Sequence, residues 1–269
     1  MQRMLFTLCL LPFILSAQDG TYNLGARNAG LAGTSVTISD SWAVFNNPGA
    51  LGSVKTTSIM ATYQNRYNIS GFNVVGGGFV YHQPLFNTAL KYYKFGDDLF
   101  NQQLIGLTIA NRFQMVSLGA GVNIIQTHAE GLSNRRVWTM EMGGTAEITK
   151  QLVLGAHIFN FKNGQVYPTT MKAGLSFRPR DFLMINVEIQ KQIDSRGQFK
   201  SGLEYEVIKN IYIRTGVNVQ NNEVTNAVIR GTFGFGFHPK NLLFDYAFTN
   251  QNLGAINEIS LTYNLKQSK

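Results

Sequence analysis

Seven ionic side chains are the first candidates for chemistry in this sequence. Arg27 and Asp40 stand in a stretch rich in Gly, Ala, Ser and Asn near the start, and Lys172, Glu188, Glu204, Arg214 and Asp245 fall within later segments of alternating character. Opposite charges drawn together in an enclosed space would form ion pairs, and removing one member of a buried pair costs about 3–5 kcal/mol. Arg27 would need a carboxylate in such a place, and Glu188, Glu204 and Asp245 are its candidate partners. Catalysis asks for more: a nucleophile, a base and an orienting group held together. Of the four histidines, His82 and His238 fall in turns, His128 lies near a loop, and His157 alone is on a polar strand face, with Ser176 one strand away as its nearest conceivable nucleophile. No third member completes that pair. No group of His, Cys, Asp or Glu has metal-ligand spacing, and Asp97-Asp98 reads as a solvated turn. Gly76-Gly77-Gly78 lies inside a strand-like run and has no phosphate-loop context. No catalytic residue, metal or cofactor is expected.

The elements that must position these residues are strands. From Thr170 to Val219 four consecutive segments alternate with a period of two, which is the strand signal. One face carries Met171, Ala173, Leu175 and Phe177, then Ile185, Val187 and Ile189, then Leu203, Tyr205 and Val207; the other carries Lys172, Glu188, Glu204 and Arg214. Such runs number about 14: 57–63, 72–82, 85–95, 101–111, 115–127, 135–148, 151–160, 168–178, 181–191, 198–208, 211–220, 223–238, 241–249 and 257–265. Every second connection is tight, as at Thr149-Lys150, Pro179-Arg180, Lys209-Asn210 and Pro239-Lys240, a hairpin repeat of about 30 residues. Run length, alternation and the inequality of the two sets of turns together predict an all-β transmembrane antiparallel barrel with apolar side chains outward. In hydrocarbon every backbone donor and acceptor must be satisfied, which a closed sheet achieves. An even strand number puts both termini on one side, expected to be the periplasm of a bacterial outer membrane. Tyr63, Tyr67, Tyr81, Tyr92, Tyr93, Trp138 and Tyr212 lie mostly near run ends, as interfacial girdle residues would.

The remainder of the chain fits this reading. Residues 1–17 resemble a cleaved secretory leader, with Arg3 ahead of an apolar stretch and Ser16-Ala17 at the cut. The sole cysteine, Cys9, is inside it, so no disulfide framework is expected. The net charge of +8 comes from basic residues spread along the chain, which gives no case for nucleic acid. The expected divisions are 1–17 leader, 18–56 lumenal segment, 57–265 barrel and 266–269 tail. Glycines recur on the polar side at Gly119, Gly121, Gly143, Gly155, Gly174, Gly202, Gly216, Gly234 and Gly236. Strand glycine marks close approach of another backbone, so something is expected to pack inside the barrel, and the segment 18–56 is the candidate.

That segment reads Gly25-Ala26-Arg27-Asn28-Ala29-Gly30-Leu31-Ala32-Gly33, then Asp40-Ser41-Trp42, then Asn47-Pro48-Gly49-Ala50-Leu51. It resembles the N-terminal signature of the FadL-like outer-membrane barrel superfamily, and within it the PorV/PorQ-like branch associated with type IX secretion. Asn257 to Leu265 resembles the closing strand. The resemblance implies 14 strands with the N-terminal segment folded into the lumen, Pro48-Gly49 forming a tight turn there. It also implies a non-enzymatic accessory subunit that meets outer-membrane lipid and other outer-membrane or secretion-complex proteins. The alternative is a FadL-like channel for a hydrophobic small molecule. The charged, glycine-lined lumen face and short loops favour the accessory role.

Overall fold

Alternating side chains make strands, and here the strands close on themselves. The computed structural model describes residues 22–161, 167–193, 195, 197–222, 226–251 and 253–265; the expected leader and tail lie outside them. Among the described residues the strands are β1 (Ser58–Arg66), β2 (Val74–His82), β3 (Asn87–Gly96), β4 (Phe100–Phe113), β5 (Val116–Ala129), β6 (Arg135–Glu147) and β7 (Leu152–Phe159). They continue as β8 (Thr170–Arg180), β9 (Leu183–Gln192), β10 (Gln198–Ile208), β11 (Ile211–Asn222), β12 (Asn226–Phe237), β13 (Leu242–Gln251) and β14 (Gly254–Asn264). Each run expected from the sequence lies on one of them, with ends displaced by no more than three residues. Each strand pairs antiparallel with its sequence neighbours, and β1 pairs with β14 from Ser58↔Asn264 to Arg66↔Ile256, closing the barrel.

Period-two alternation then puts every strand's two faces in different surroundings. Ile59, Ile105, Leu107, Ile189, Phe233 and Leu261 are exposed on the outside, while Lys91, Glu141, Glu188, Arg214 and Glu258 are fully buried on the inside. This arrangement reverses that of a water-soluble sheet protein and suits a wall standing in hydrocarbon.

The interior is filled by residues ahead of β1. Three short helices form there: α1 (Ala26–Gly30), α2 (Ala43–Asn46) and α3 (Pro48–Leu51). None is long enough to hold itself together in water, and each rests on the wall, α1 on β11 to β14, α2 on β3 and α3 on β4 to β7. The turn expected at Pro48-Gly49 is instead the first turn of α3. Proline at the first helical position loses no hydrogen bond, and the Asn47 side chain caps the helix by accepting from the Gly49 amide at 3.0 Å.

Candidate functional site

The expected ionic residues meet in two groups. In the first, a chain of charge runs from the plug through the wall. Arg27 donates through Nε and Nη2 to the two oxygens of Glu204 at 2.8 and 2.6 Å and through Nη1 to Asp40 at 3.3 Å. Glu204 also accepts from Arg214 Nε at 2.6 Å, Arg214 Nη1 donates to Asp245 at 2.6 Å, and Asp245 meets His238 Nε2 at 2.9 Å. Of the three carboxylates considered for Arg27, Glu204 is thus its partner and Asp40 a second, while Asp245 serves Arg214. His238 follows the last residue of β12 as a turn residue, yet its ring reaches the lumenal Asp245. Burial pushes the Asp40 carboxyl above the ordinary aspartate range although Arg27 pulls the other way. A raised carboxyl contributes less to folding as pH climbs through its folded value. Acidification is therefore expected to leave the plug seated at Asp40.

In the second group, wall side chains grip the plug by its backbone. Glu188 is here and not beside Arg27: its Oε2 accepts from the Ser35 and Val36 amides at 2.8 and 2.9 Å, with Lys200 Nζ at 3.6 Å from Oε1. Glu258 accepts from the Gly25 amide at 2.7 Å and Ser260 Oγ from the Ala26 amide at 3.1 Å, so β14 supplies the caps that α1 lacks in its own sequence. Lys172 donates to Asn23 Oδ1 at 2.6 Å and to the Asn46 carbonyl at 3.4 Å. Thr232 Oγ1 donates to the Gly30 carbonyl at 2.9 Å and accepts from the Ala32 amide at 3.0 Å. The Gly33 amide returns to the Asn28 carbonyl at 2.9 Å with φ at +79°, closing the end of α1.

The glycine pattern has its physical cause in these contacts. A Cβ on Gly119, Gly143, Gly155, Gly202 or Gly216 would run into plug atoms, and one on Gly234 would stand 3.0 Å from the Gly30 Cα. Gly121 and Gly236 make room for wall residues instead, Glu141 in one case and Arg214 with Asp245 in the other. Gly49 has the Gly143 carbonyl in the way. Gly49→Ala is therefore expected to unseat α3 and lower the temperature at which the folded band is lost on a semi-native gel. Gly231→Ala, with nothing within 4 Å of the new Cβ, should leave it unchanged.

A third polar cluster escaped the sequence reading. Lys91 on β3 pairs with Glu141 on β6, which also accepts from Asn123 at 3.1 Å and meets His157 Nε2 at 3.0 Å. Lys91 Nζ further donates to the Val44 carbonyl of the plug at 2.9 Å. The alternation Asn87, Ala89, Lys91, Tyr93 was the available signal that Lys91 faces inward. His157 is thereby occupied, and Ser176 pairs with Val153, four residues along β7 from it. Four residues of strand are about 13 Å, so the two side chains do not form a catalytic pair.

The lumen is not charged throughout, as the sequence had suggested. On the β1 to β7 side an apolar cluster joins plug residues Tyr22, Leu24, Val44, Phe45 and Leu51 to wall residues including Val80, Leu104, Ile125 and Phe159, and lies beside the buried Lys91, Glu141 and His157 group. Tyr93 belongs to this cluster and not to an outer girdle: it is buried, with its ring edge-on to Tyr22 at 5.1 Å. Tyr63, Tyr92 and Trp138 are exposed on the outside. On the outer face of β4 to β8 lies a concavity of about 1230 Å³, lined by Leu118, Met142, Leu154 and Met171 around small residues such as Ala120, Gly144 and Ala156.

No protein-family model and no curated protein matches the chain. Solved structures do. A FadL homologue from Pseudomonas aeruginosa superposes with a TM-score of 0.71 at 13% identity, covering 90% of this chain and 98% of that one. The toluene transporter TbuX of Ralstonia pickettii gives 0.70 at 14% identity, covering 91% and 99%, and the monoaromatic hydrocarbon channel CymD gives 0.68 at 12%, covering 92% and 99%. At these identities the likeness is one of fold alone.

Proposed function

We propose that this chain is a non-enzymatic outer-membrane channel for hydrophobic small molecules, seen with its lumenal path closed by the N-terminal segment and with both termini in the periplasm. The observation that carries the proposal is the apolar cluster within the lumen. A barrel that needed only to be sealed could be lined with polar side chains all round, as its β9 to β14 side largely is. Here Val80, Leu104, Ile125 and Phe159 face inward and are covered by the plug's own Tyr22, Leu24 and Phe45. A hydrophobic solute that takes the place of those side chains keeps the apolar area out of water, at about 25 cal/mol per Å². The fold likeness to hydrocarbon channels supports the same reading over an accessory subunit.

Toluene and a long-chain fatty acid are suitable probes, with binding followed through Trp42, which lies in the plug against Phe45 with ring centroids 6.0 Å apart. In a Trp138→Phe background, Trp42 fluorescence should change saturably with at least one probe, and Phe159→Ala should weaken the change. A linear, non-saturating response identical in the two proteins would refute the channel reading.

An accessory role in a membrane complex, including the type IX association that the N-terminal motif implies, is the second reading. The outer concavity favours it, since small residues let another membrane protein approach closely. Co-purification of a stoichiometric partner from native membranes in mild detergent, lost when Ala156 and Gly144 are enlarged to leucine, is the outcome that would raise it above the channel.

A further inference from the structure

The basic residues, scattered in the sequence, are gathered by the fold into a ring. Strand pairing places the tight connections at one end of the barrel, each two strands from the next, together with the point where the chain enters β1. Going round that end, Lys55 precedes β1, Arg112 lies near the end of β4, Lys150 joins β6 to β7, and Arg180 ends β8. Lys209 then joins β10 to β11 and Lys240 joins β12 to β13. Only the β2 to β3 connection lacks Lys or Arg, and His82 stands there. All six cations are exposed. Arg112 is paired with Glu147, but the ammonium groups of Lys55, Lys150, Lys209 and Lys240 have no hydrogen-bond or ion-pair partner among the described residues. The other carboxylates at this rim are Glu206, which accepts from the Asn210 amide at 2.9 Å, and Asp181 beside Arg180, so the cations outnumber them.

Two features identify the occupant. Neighbouring positions are about 10 Å apart measured across the strands, and they diverge around the full circumference, so they cannot converge on one compact ligand. Five of the six cations also have an exposed apolar residue within two positions in sequence: Phe113, Ile148, Phe182, Ile208 and Leu242 flank Arg112, Lys150, Arg180, Lys209 and Lys240. A cation directly above an apolar, outward side chain matches a lipid, with its phosphate over its acyl chain. We propose that the short-turn rim binds a shell of anionic phospholipids in the leaflet at that end, one headgroup to each basic turn. This is independent of what the lumen carries.

The test uses the full-length protein in nanodiscs of equal parts phosphatidylglycerol and phosphatidylcholine, with the retained lipids counted by native mass spectrometry. The wild type should enrich phosphatidylglycerol about fivefold at low salt, the effect of one Lys or Arg near an anionic surface. Lys150→Gln/Lys209→Gln/Lys240→Gln should bring the ratio close to parity, and the same three positions changed to Arg should keep the enrichment. Equal retention of both lipids by the wild type, or enrichment that survives the Gln variant, would overturn the proposal. So would soluble poly-glutamate binding the wild type, but not the Gln variant, in discs of phosphatidylcholine alone, because the ring would then belong to an acidic protein partner. Unchanged heat-modifiable mobility of each variant confirms that the barrel has formed.

Discussion

Arg214→Ala is expected to lower the stability of the folded barrel by about 3–5 kcal/mol, the range for breaking a buried ion pair from one side. Arg214 is fully buried and joins Glu204 to Asp245, so its loss leaves two carboxylates in the lumen with fewer donors between them. Arg27→Ala should cost less. Arg27 keeps about a fifth of its side chain exposed, and without it Glu204 still has Arg214. Denaturant unfolding in detergent micelles, followed by loss of the compact gel band, measures both. A reversed order of damage would mean that the charge chain is anchored at the plug and not at the wall.

Lys91→Met is expected to be of similar size, about 3–5 kcal/mol, because it strands the fully buried Glu141. It also releases the Val44 carbonyl and so loosens α2. Replacing both partners removes the orphaned charge, and Lys91→Met/Glu141→Gln should regain most of the loss, with Asn123 and His157 still available to the new amide. The double-mutant cycle supplies the check: effects that simply add would show that the two groups are not coupled in the folded protein.

How much of this was legible beforehand follows from the range of each interaction. The strands could be read because alternation is local, and Leu203, Glu204 and Tyr205 declare their faces within three residues. The filled lumen could be read from glycine, since an absent side chain on an inward position implies that another chain needs the room, and Gly143 and Gly216 do face plug atoms. The helices of the plug could not be read. The caps of α1 come from Glu258 and Ser260, more than 230 residues away in sequence, and no propensity carries that information. Lys91, Glu141 and His157 were hidden for the same reason: their meeting depends on three strands turning inward together, although each stands on an alternating face. Tyr93, an aromatic near a strand end, has the look of a girdle residue unless its parity is counted from Lys91. The basic ring has no local signature, because its members are far apart along the chain and only the hairpins bring every thirtieth residue to the same rim.

The central claim is that adjacent residues of one strand meet hydrocarbon and the packed lumen respectively. Leu107 and Thr108 on β4 are such a pair, the first strongly exposed and the second buried. Nitroxide labels placed singly at these two positions, in a Cys9→Ser background reconstituted in liposomes, report it by power-saturation electron paramagnetic resonance. The account predicts a Leu107 label relaxed by oxygen and shielded from a water-soluble nickel chelate, and a Thr108 label immobilised and protected from both. Nickel access at position 107, or equal oxygen access at the two positions, would contradict it.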